Sequence, residues 1–211
     1  GFIFIHAYGM TESSSHSSLL GKDEHRSRAG SVGRGLATSR VRIVREDGTA
    51  VAPGEIGEIV IAGPQVMSRY WNRPDATAQT LRDGWLYSGD LGVADGDGFI
   101  YVKDRKHDMI ISGGVNIFPR EIEEVIASHP AVAEVAVYGL PDEKWGEAVA
   151  ASVVLRDGSN VDADEIRRFV GGSLARYKIP RTLDFPPHLP KNPSGKVLKR
   201  VLRDSQKAHR A

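Results

Sequence analysis

The spacing of apolar residues changes about halfway along the chain. In the first half they come in short runs broken by Gly and Asp. Phe2-Ile3-Phe4-Ile5 reads as a buried strand. Val41 and Ile43 precede the turn Asp47-Gly48, and Ile56, Ile59 and Ile61 stand among Gly54, Gly57 and Gly63. Trp85-Leu86-Tyr87 leads into Ser88-Gly89-Asp90-Leu91, and Asp95-Gly96-Asp97-Gly98 turns into Phe99-Ile100-Tyr101-Val102. Short runs of this kind between turn residues predict strands of a small distorted β-barrel or sandwich.

In the second half the period lengthens. Pro119-Arg120-Glu121-Ile122-Glu123-Glu124-Val125-Ile126 predicts a helix, with proline first, acids in the first turn and apolar residues at i, i+3 and i+4. His129-Pro130 ends it. Val132 to Tyr138 and Val149 to Leu155 predict strands, and Leu183-Asp184-Phe185 a third. Asp162-Ala163-Asp164-Glu165 opens a second helix, with Ile166, Phe169, Val170 and Leu174 on one face and Gly171-Gly172 weakening its middle. A loop from Pro186 to Gly195 precedes a final basic helix. The expected fold class is α+β: a mainly β module over 1–106 and a compact α+β module over 107–211. The joint is the charged stretch Lys103-Asp104-Arg105-Lys106-His107-Asp108.

Composition narrows the classes. Lys and Arg total 28 against 27 Asp and Glu, so no global charge draws nucleic acid. The basic residues between Lys191 and Arg210 read as a solvated helix face. The absence of cysteine excludes disulfides, thiolate metal sites and a cysteine nucleophile, and fits a cytoplasmic protein. No run approaches the ~20 apolar residues of a membrane helix, so no transmembrane segment is expected. The first residue is Gly1 rather than Met, which suggests a tag scar, a proteolytic cut or a subcloned piece.

Four stretches could carry chemistry. In "YGMTES", Gly9 permits a close turn, Thr11 offers a hydroxyl, and Glu12 offers the hard oxygen that Mg²⁺ takes beside phosphate; the plainer reading is a helix cap by Thr11 or Ser13. In "YSGDL", Asp90 follows a tight turn, where a carboxylate can accept from a ribose diol or simply shape a hairpin. "DGDG" fails as a calcium loop, because its fifth and twelfth positions are Phe99 and Lys106. "ISGGVNIFPREIE" joins a strand to a helix through Ser112-Gly113-Gly114, where glycines admit a ligand or another backbone. In "LPKNPSGKVLKR", Lys196 lacks the phosphate-loop spacing, but can act as a point charge for an anion from a mobile loop.

With "GLPDEKWGE", these stretches form an ordered series over essentially the whole chain. The series resembles the C-terminal part of the adenylate-forming superfamily, which includes acyl- and aryl-CoA ligases, firefly luciferase and the adenylation domains of peptide synthetases. Its texture is most similar to the fatty-acyl and coumarate-type CoA ligases. The resemblance implies ATP, Mg²⁺ and coenzyme A as reactants and cofactor, with a fatty or aryl carboxylate as substrate: the acid forms acyl-AMP, then CoA displaces AMP. It implies that Thr11 contacts phosphate and Glu12 binds Mg²⁺. Tyr8 and Gly9 would line the adenine and acyl site, and Asp90 and Arg105 would hold the ribose. Lys196 would bridge carboxylate and phosphate oxygens in the first step. Gly113, Gly114 and Trp145 would line the pantetheine channel in the second. The hinge between the two domains falls on His107, where the family more often has Asp or Lys, and an imidazole there would make the swing respond to pH.

The family's Ser/Thr/Gly-rich ATP loop, expected before "YGMTES", is not among these 211 residues. The resemblance therefore implies a piece of an enzyme, the end of the large domain plus the whole mobile C-terminal domain, inactive by itself. Strand edges left without neighbours would offer a route to a homodimer. Three other readings stand beside it: an adenylation domain loading a carrier protein, a remnant that only binds nucleotide or a partner, and a luciferase-like oxygenase.

Overall fold

In the computed structural model, which describes residues 2–208, the first strand begins only at His6. Phe2–Ile5 forms no strand and stays exposed, Phe2 fully so. An apolar run is buried only where a partner exists to cover it, and among the described residues only His25 stacks on Phe4. Strands β1 (His6–Met10), β2 (Ser15–Leu20) and β3 (Arg34–Gly35) make an antiparallel sheet in that order. A second sheet has the order β4 (Arg40–Val44), β5 (Gly57–Ala62), β7 (Trp85–Ala94), β6 (Leu81–Arg82), with β8 (Ile100–Arg105) also on β7. All its pairings are antiparallel. Helix α1 (Pro74–Thr80) enters through a proline in its first turn and was not foreseen from the sequence.

Both sheets contribute to one core of Val32, Ile43, Ile59 and Ile100, with Tyr8, Val41 and Val102 packed against it. Strand β5 is buried along its whole length, as a central strand covered on both faces must be. Val32 N donates to Ile100 O at 2.8 Å and Ile100 N to Gly33 O at 2.9 Å, which joins the segment before β3 to β8. These are isolated bonds, and β3 and β6 are two residues long. Among the described residues neither sheet closes, so the first half consists of open sheets rather than the expected barrel, which needs a continuous ladder.

The chain divides into two compact units, Gly1–Lys106 and His107–Ala211. The second has one sheet of order β10 (Val115–Ile117), β9 (Ile110–Ser112), β12 (Gly146–Leu155), β11 (Val132–Asp142), with β13 (Thr182–Asp184) parallel to β12. Its two longest strands, β11 and β12, are apolar on both faces. Val137, Val149, Ala151 and Val153 face a core with Ile122 and Ile126 of α2 (Pro119–Ala127) and Ile166 and Val170 of α3 (Ala163–Gly171). Ala136, Tyr138, Leu140 and Ala150 face a smaller core closed by Leu189 and by Leu202 of α4 (Lys199–Ala208). In between, the Tyr138 hydroxyl lies 2.8 Å from Ser152 Oγ, and Ser152 donates to Asp184 Oδ1 at 2.7 Å, which satisfies three polar groups inside the unit.

Local readings are refined in three places. Asp162 caps α3 by accepting from Glu165 N at 2.8 Å, but Gly171-Gly172 ends that helix instead of weakening its middle. Phe169 leaves the helix's core face and meets the His129 ring edge-on, 4.8 Å between centroids. The basic last helix is not merely solvated: Lys199 Nζ lies 2.8 Å from Glu123 and Arg203 3.7 Å from Asp108.

Ile122 is fully buried between α2 and the sheet. Ile122→Ala should cost about 2–5 kcal/mol. Urea denaturation followed by the amide resonances of β11 should show the lower midpoint.

Candidate active site

Two motif segments of the first unit sit where strand register breaks. Between β1 and β2 the register shifts at Tyr8/Gly9. A Cβ on Gly9 would lie 1.8 Å from Ser15 O, so only glycine fits there. After this bulge the chain makes a 3₁₀ turn, Thr11–Ser13. Ser13, not Thr11, organises it: Ser13 Oγ accepts from Met10 N at 3.1 Å and donates to Met10 O at 3.0 Å. The Thr11 hydroxyl makes no hydrogen bond among the described residues, and the residue is exposed.

In β7, Tyr87 pairs with Val60 and Leu91 with Glu58, so Ser88-Gly89-Asp90 stands opposite Ile59 alone. Gly89 at φ +74° makes this bulge possible. Ser88 Oγ fastens it by donating to Ile59 O at 2.7 Å and accepting from Asp90 N at 3.1 Å. The bulge re-aims Asp90. Tyr8 Oη donates to Asp90 Oδ2 at 2.8 Å, and Arg105 Nε lies 3.5 Å from Asp90 Oδ1. The structure thus brings together Tyr8, Asp90 and Arg105, three residues from three strands. Burial, and then the Asp90 charge, hold the Tyr8 phenol well above its ordinary value, so it remains a donor.

Glu12 has a partner that the sequence did not suggest. Tyr70 Oη donates to Glu12 Oε1 at 2.8 Å. Burial first, and then the Glu12 carboxylate, raise the Tyr70 phenol above its usual range. A tyrosine 58 residues away in sequence carries no local signal of this contact.

In the second unit, Gly113 and Gly114 form the two-residue turn of the β9–β10 hairpin, both with positive φ, rather than a strand-to-helix turn. Gly113 N donates to Trp145 O at 2.8 Å, and a Cβ on Gly113 would meet the Trp145 ring at 2.7 Å. Trp145 is partly exposed, with Lys144 Nζ 4.9 Å and Arg181 Cζ 5.7 Å from its ring centre. Asp142 holds the loop by accepting from Lys144 N at 3.0 Å and Trp145 N at 2.9 Å.

Lys196 stands exposed on a turn that is tied down rather than loose. Asn192 Oδ1 accepts from Ser194 N at 3.1 Å and Lys196 N at 2.9 Å, and Asn192 N donates to Lys196 O at 2.9 Å. Lys191 bridges Val197 across it. The Lys196 ammonium has no ion-pair partner among the described residues.

His107 is exposed between two anchored neighbours. Within the first unit, Lys106 N donates to Gly89 O at 2.8 Å and Lys106 Nζ to Glu58 Oε2 at 3.1 Å. Within the second, Asp108 pairs with Arg203. Among the described residues no cluster of three or more acidic or imidazole side chains could hold a metal alone, and no helix is long and apolar enough to cross a membrane.

A family model described as AMP-binding enzyme matches residues 2–71, and one described as AMP-binding enzyme C-terminal domain matches residues 121–196. A feruloyl-CoA synthase of Amycolatopsis is 46% identical over 96% of this chain and 41% of its own length. A long-chain-fatty-acid–CoA ligase of Mycobacterium tuberculosis is 45% identical over 97% of this chain and 40% of its own. The o-succinylbenzoate CoA synthetase of Bacillus subtilis has been solved with its acyl-adenylate intermediate (43% identity, TM-score 0.90, 96% of this chain and 41% of that one). It has also been solved with ATP and magnesium (41% identity, TM-score 0.87, 98% and 42%). The chain belongs to the adenylate-forming superfamily. It spans about two fifths of the length of the curated relatives it matches.

The Tyr8 phenol gives a pH test. Its folded pKa lies above the unfolded value near 10. Its contribution to stability should therefore be intact below pH about 10 and lost as pH rises through the higher folded value. Subtracting the alkaline absorbance titration of Tyr8→Phe isolates its ionisation, and Asp90→Asn should move that step to lower pH.

Proposed function

We propose that the chain supplies the C-terminal share of an AMP-forming acyl-CoA ligase. The whole protein would join a small-molecule carboxylate, of the aryl or fatty kind, to coenzyme A with ATP cleaved to AMP and pyrophosphate. The observation that carries this reading is the Tyr8–Asp90–Arg105 cluster, with the Thr11-Glu12 turn directly following the strand of Tyr8. The names and complexes of the relatives support it, since they join acids to CoA and bind ATP, magnesium and acyl-adenylate.

In the first step a carboxylate oxygen attacks the α-phosphorus of ATP and the bond to pyrophosphate breaks. In the second the CoA sulfur attacks the acyl carbon, loses its proton, and AMP leaves. No protein nucleophile takes part in either. Asp90 accepts from the ribose hydroxyls, and Arg105 holds its carboxylate in place and adds a donor. Tyr8 and Gly9 line the adenine and acyl side, and the free Thr11 hydroxyl donates to a phosphate oxygen. The donor set suits Mg²⁺: one carboxylate, Glu12, completed by phosphate oxygens and water. When bound, that ion neutralises phosphate charge. Lys196, unpaired and presented by an ordered turn, is a point charge for the carboxylate and phosphate oxygens of the first step. The Gly113-Gly114 turn and Trp145 border the path of pantetheine in the second step. His107, between two anchored residues, is the hinge. In the whole protein the open sheets of the first unit complete a distorted barrel.

The test is carried out on the whole protein. Lys196→Ala should lower carboxylate-dependent exchange of pyrophosphate into ATP by about a hundredfold or more. It should leave thioester formation from preformed acyl-adenylate within a few-fold. Unchanged pyrophosphate exchange in this variant would overturn the assignment.

A further inference from the structure

Glu12 is held at two points by one short segment. Met67 N donates to Glu12 O at 2.8 Å, and three residues later Tyr70 Oη donates to Glu12 Oε1 at 2.8 Å. Tyr70 is itself fixed to α1. Its backbone N donates to Thr77 Oγ1 at 3.0 Å, and that hydroxyl donates to Arg73 O at 2.8 Å. On the other side the turn carrying Glu12 is fixed by Ser13. Hydrogen bonds therefore run from a helix to one oxygen of one carboxylate.

A half-buried glutamate side chain without a partner can sample several rotamers. The bond from Tyr70 selects among them. It uses Oε1 and leaves Oε2, which has no partner among the described residues, free to accept elsewhere. Core packing does not account for the phenol. Tyr70 borders an open cavity of about 530 Å³ that Trp71, Arg73 and Leu81 also line, so the ring is not enclosed.

We propose that Tyr70 is a positioning residue for Glu12: its hydroxyl fixes the carboxylate so that Oε2 is presented to the magnesium–nucleotide complex. This rests on the role of Glu12 proposed above. The arrangement has the logic of groups that orient a metal ligand from behind, whose removal weakens metal binding by about 10–100-fold. Thr77 acts one step further out, by fixing the segment from which the phenol reaches.

The test uses the whole protein and its variants Tyr70→Phe, Thr77→Val and Glu12→Gln, each with its melting temperature measured. In metal-free protein, carbon-13 NMR should find the Glu12 side chain in one rotamer, and averaging between rotamers in Tyr70→Phe. Thr77→Val should give a smaller loss of order in the same direction. Manganese chloride with ATP is then added as a paramagnetic probe, and broadening of the Thr11–Ser13 amides gives the apparent metal affinity. Tyr70→Phe should lower that affinity about tenfold, and Glu12→Gln should abolish the selective broadening. If Tyr70→Phe and Thr77→Val keep both the Glu12 rotamer and the affinity of the unaltered chain, the positioning role is wrong. If Glu12→Gln broadens those amides as strongly as the unaltered chain, Glu12 is not the ligand, and the functional reading beneath this inference fails instead. A lower melting temperature in Tyr70→Phe without any change in the Glu12 rotamer would make the contact purely structural and would also overturn the proposal.

Discussion

The carboxylate of Asp90 is the point on which the first unit turns. One oxygen accepts from Tyr8 of β1 and the other faces Arg105 of β8, while the residue itself belongs to β7. Elements of two separately hydrogen-bonded sheets thus meet at one largely buried charge. Such a charge is tolerable only when both its oxygens are served. The two bulges provide that geometry. Without the break at Gly9 and the three-residue excursion at Ser88-Gly89-Asp90, regular pleating would point these side chains along the faces of their strands, away from one another. The site is therefore built from the irregular parts of the sheets, and the regular parts hold the irregularities in place.

The second unit obeys a different constraint. Its two longest strands, β11 and β12, are covered on both faces, so they need two cores, one closed by α2 and α3 and the other by Leu189 and α4. The polar chain Tyr138–Ser152–Asp184 interrupts that apolar interior, and every member of it has a partner. A rigid sheet of this kind suits the short, exposed features it carries: the Gly113-Gly114 hairpin turn, the Trp145 loop and the Lys196 turn.

What was legible in the sequence was what lies close together in it. The helix from Pro119, the cap at Asp162 and the long strands follow from local patterns, and Ile122, Ile126, Ile166 and Val170 are in the core as the periodicity predicts, whereas Phe169 is not. The motifs were legible for the same reason: Tyr8 to Ser13 and Tyr87 to Leu91 are continuous stretches. Contacts between distant segments were not. Glu58 meets Lys106 across 48 residues and Tyr70 meets Glu12 across 58, and neither side chain differs in pattern from an ordinary surface or core residue. Phe2–Ile5 misleads because hydrophobicity reports a preference for burial without saying what does the burying. Glycine misleads because one residue type serves opposite ends. Gly171-Gly172 stops a helix, and Gly113-Gly114 makes a hairpin turn, where composition suggested a flaw and a connector.

The turn under Lys196 has a consequence in conformational entropy. Five residues of loose loop would each lose about 1–2 kcal/mol of backbone freedom on being ordered around an anion. Here the Asn192 side chain and the bridge from Lys191 to Val197 have already taken that freedom during folding. What is left to order is the lysine's own side chain, about 1.5–2 kcal/mol. A single ammonium can offset a loss of that size, whereas it could not offset the freezing of a whole loop. The role proposed for Lys196 therefore asks for the ordering of one side chain and not of a loop.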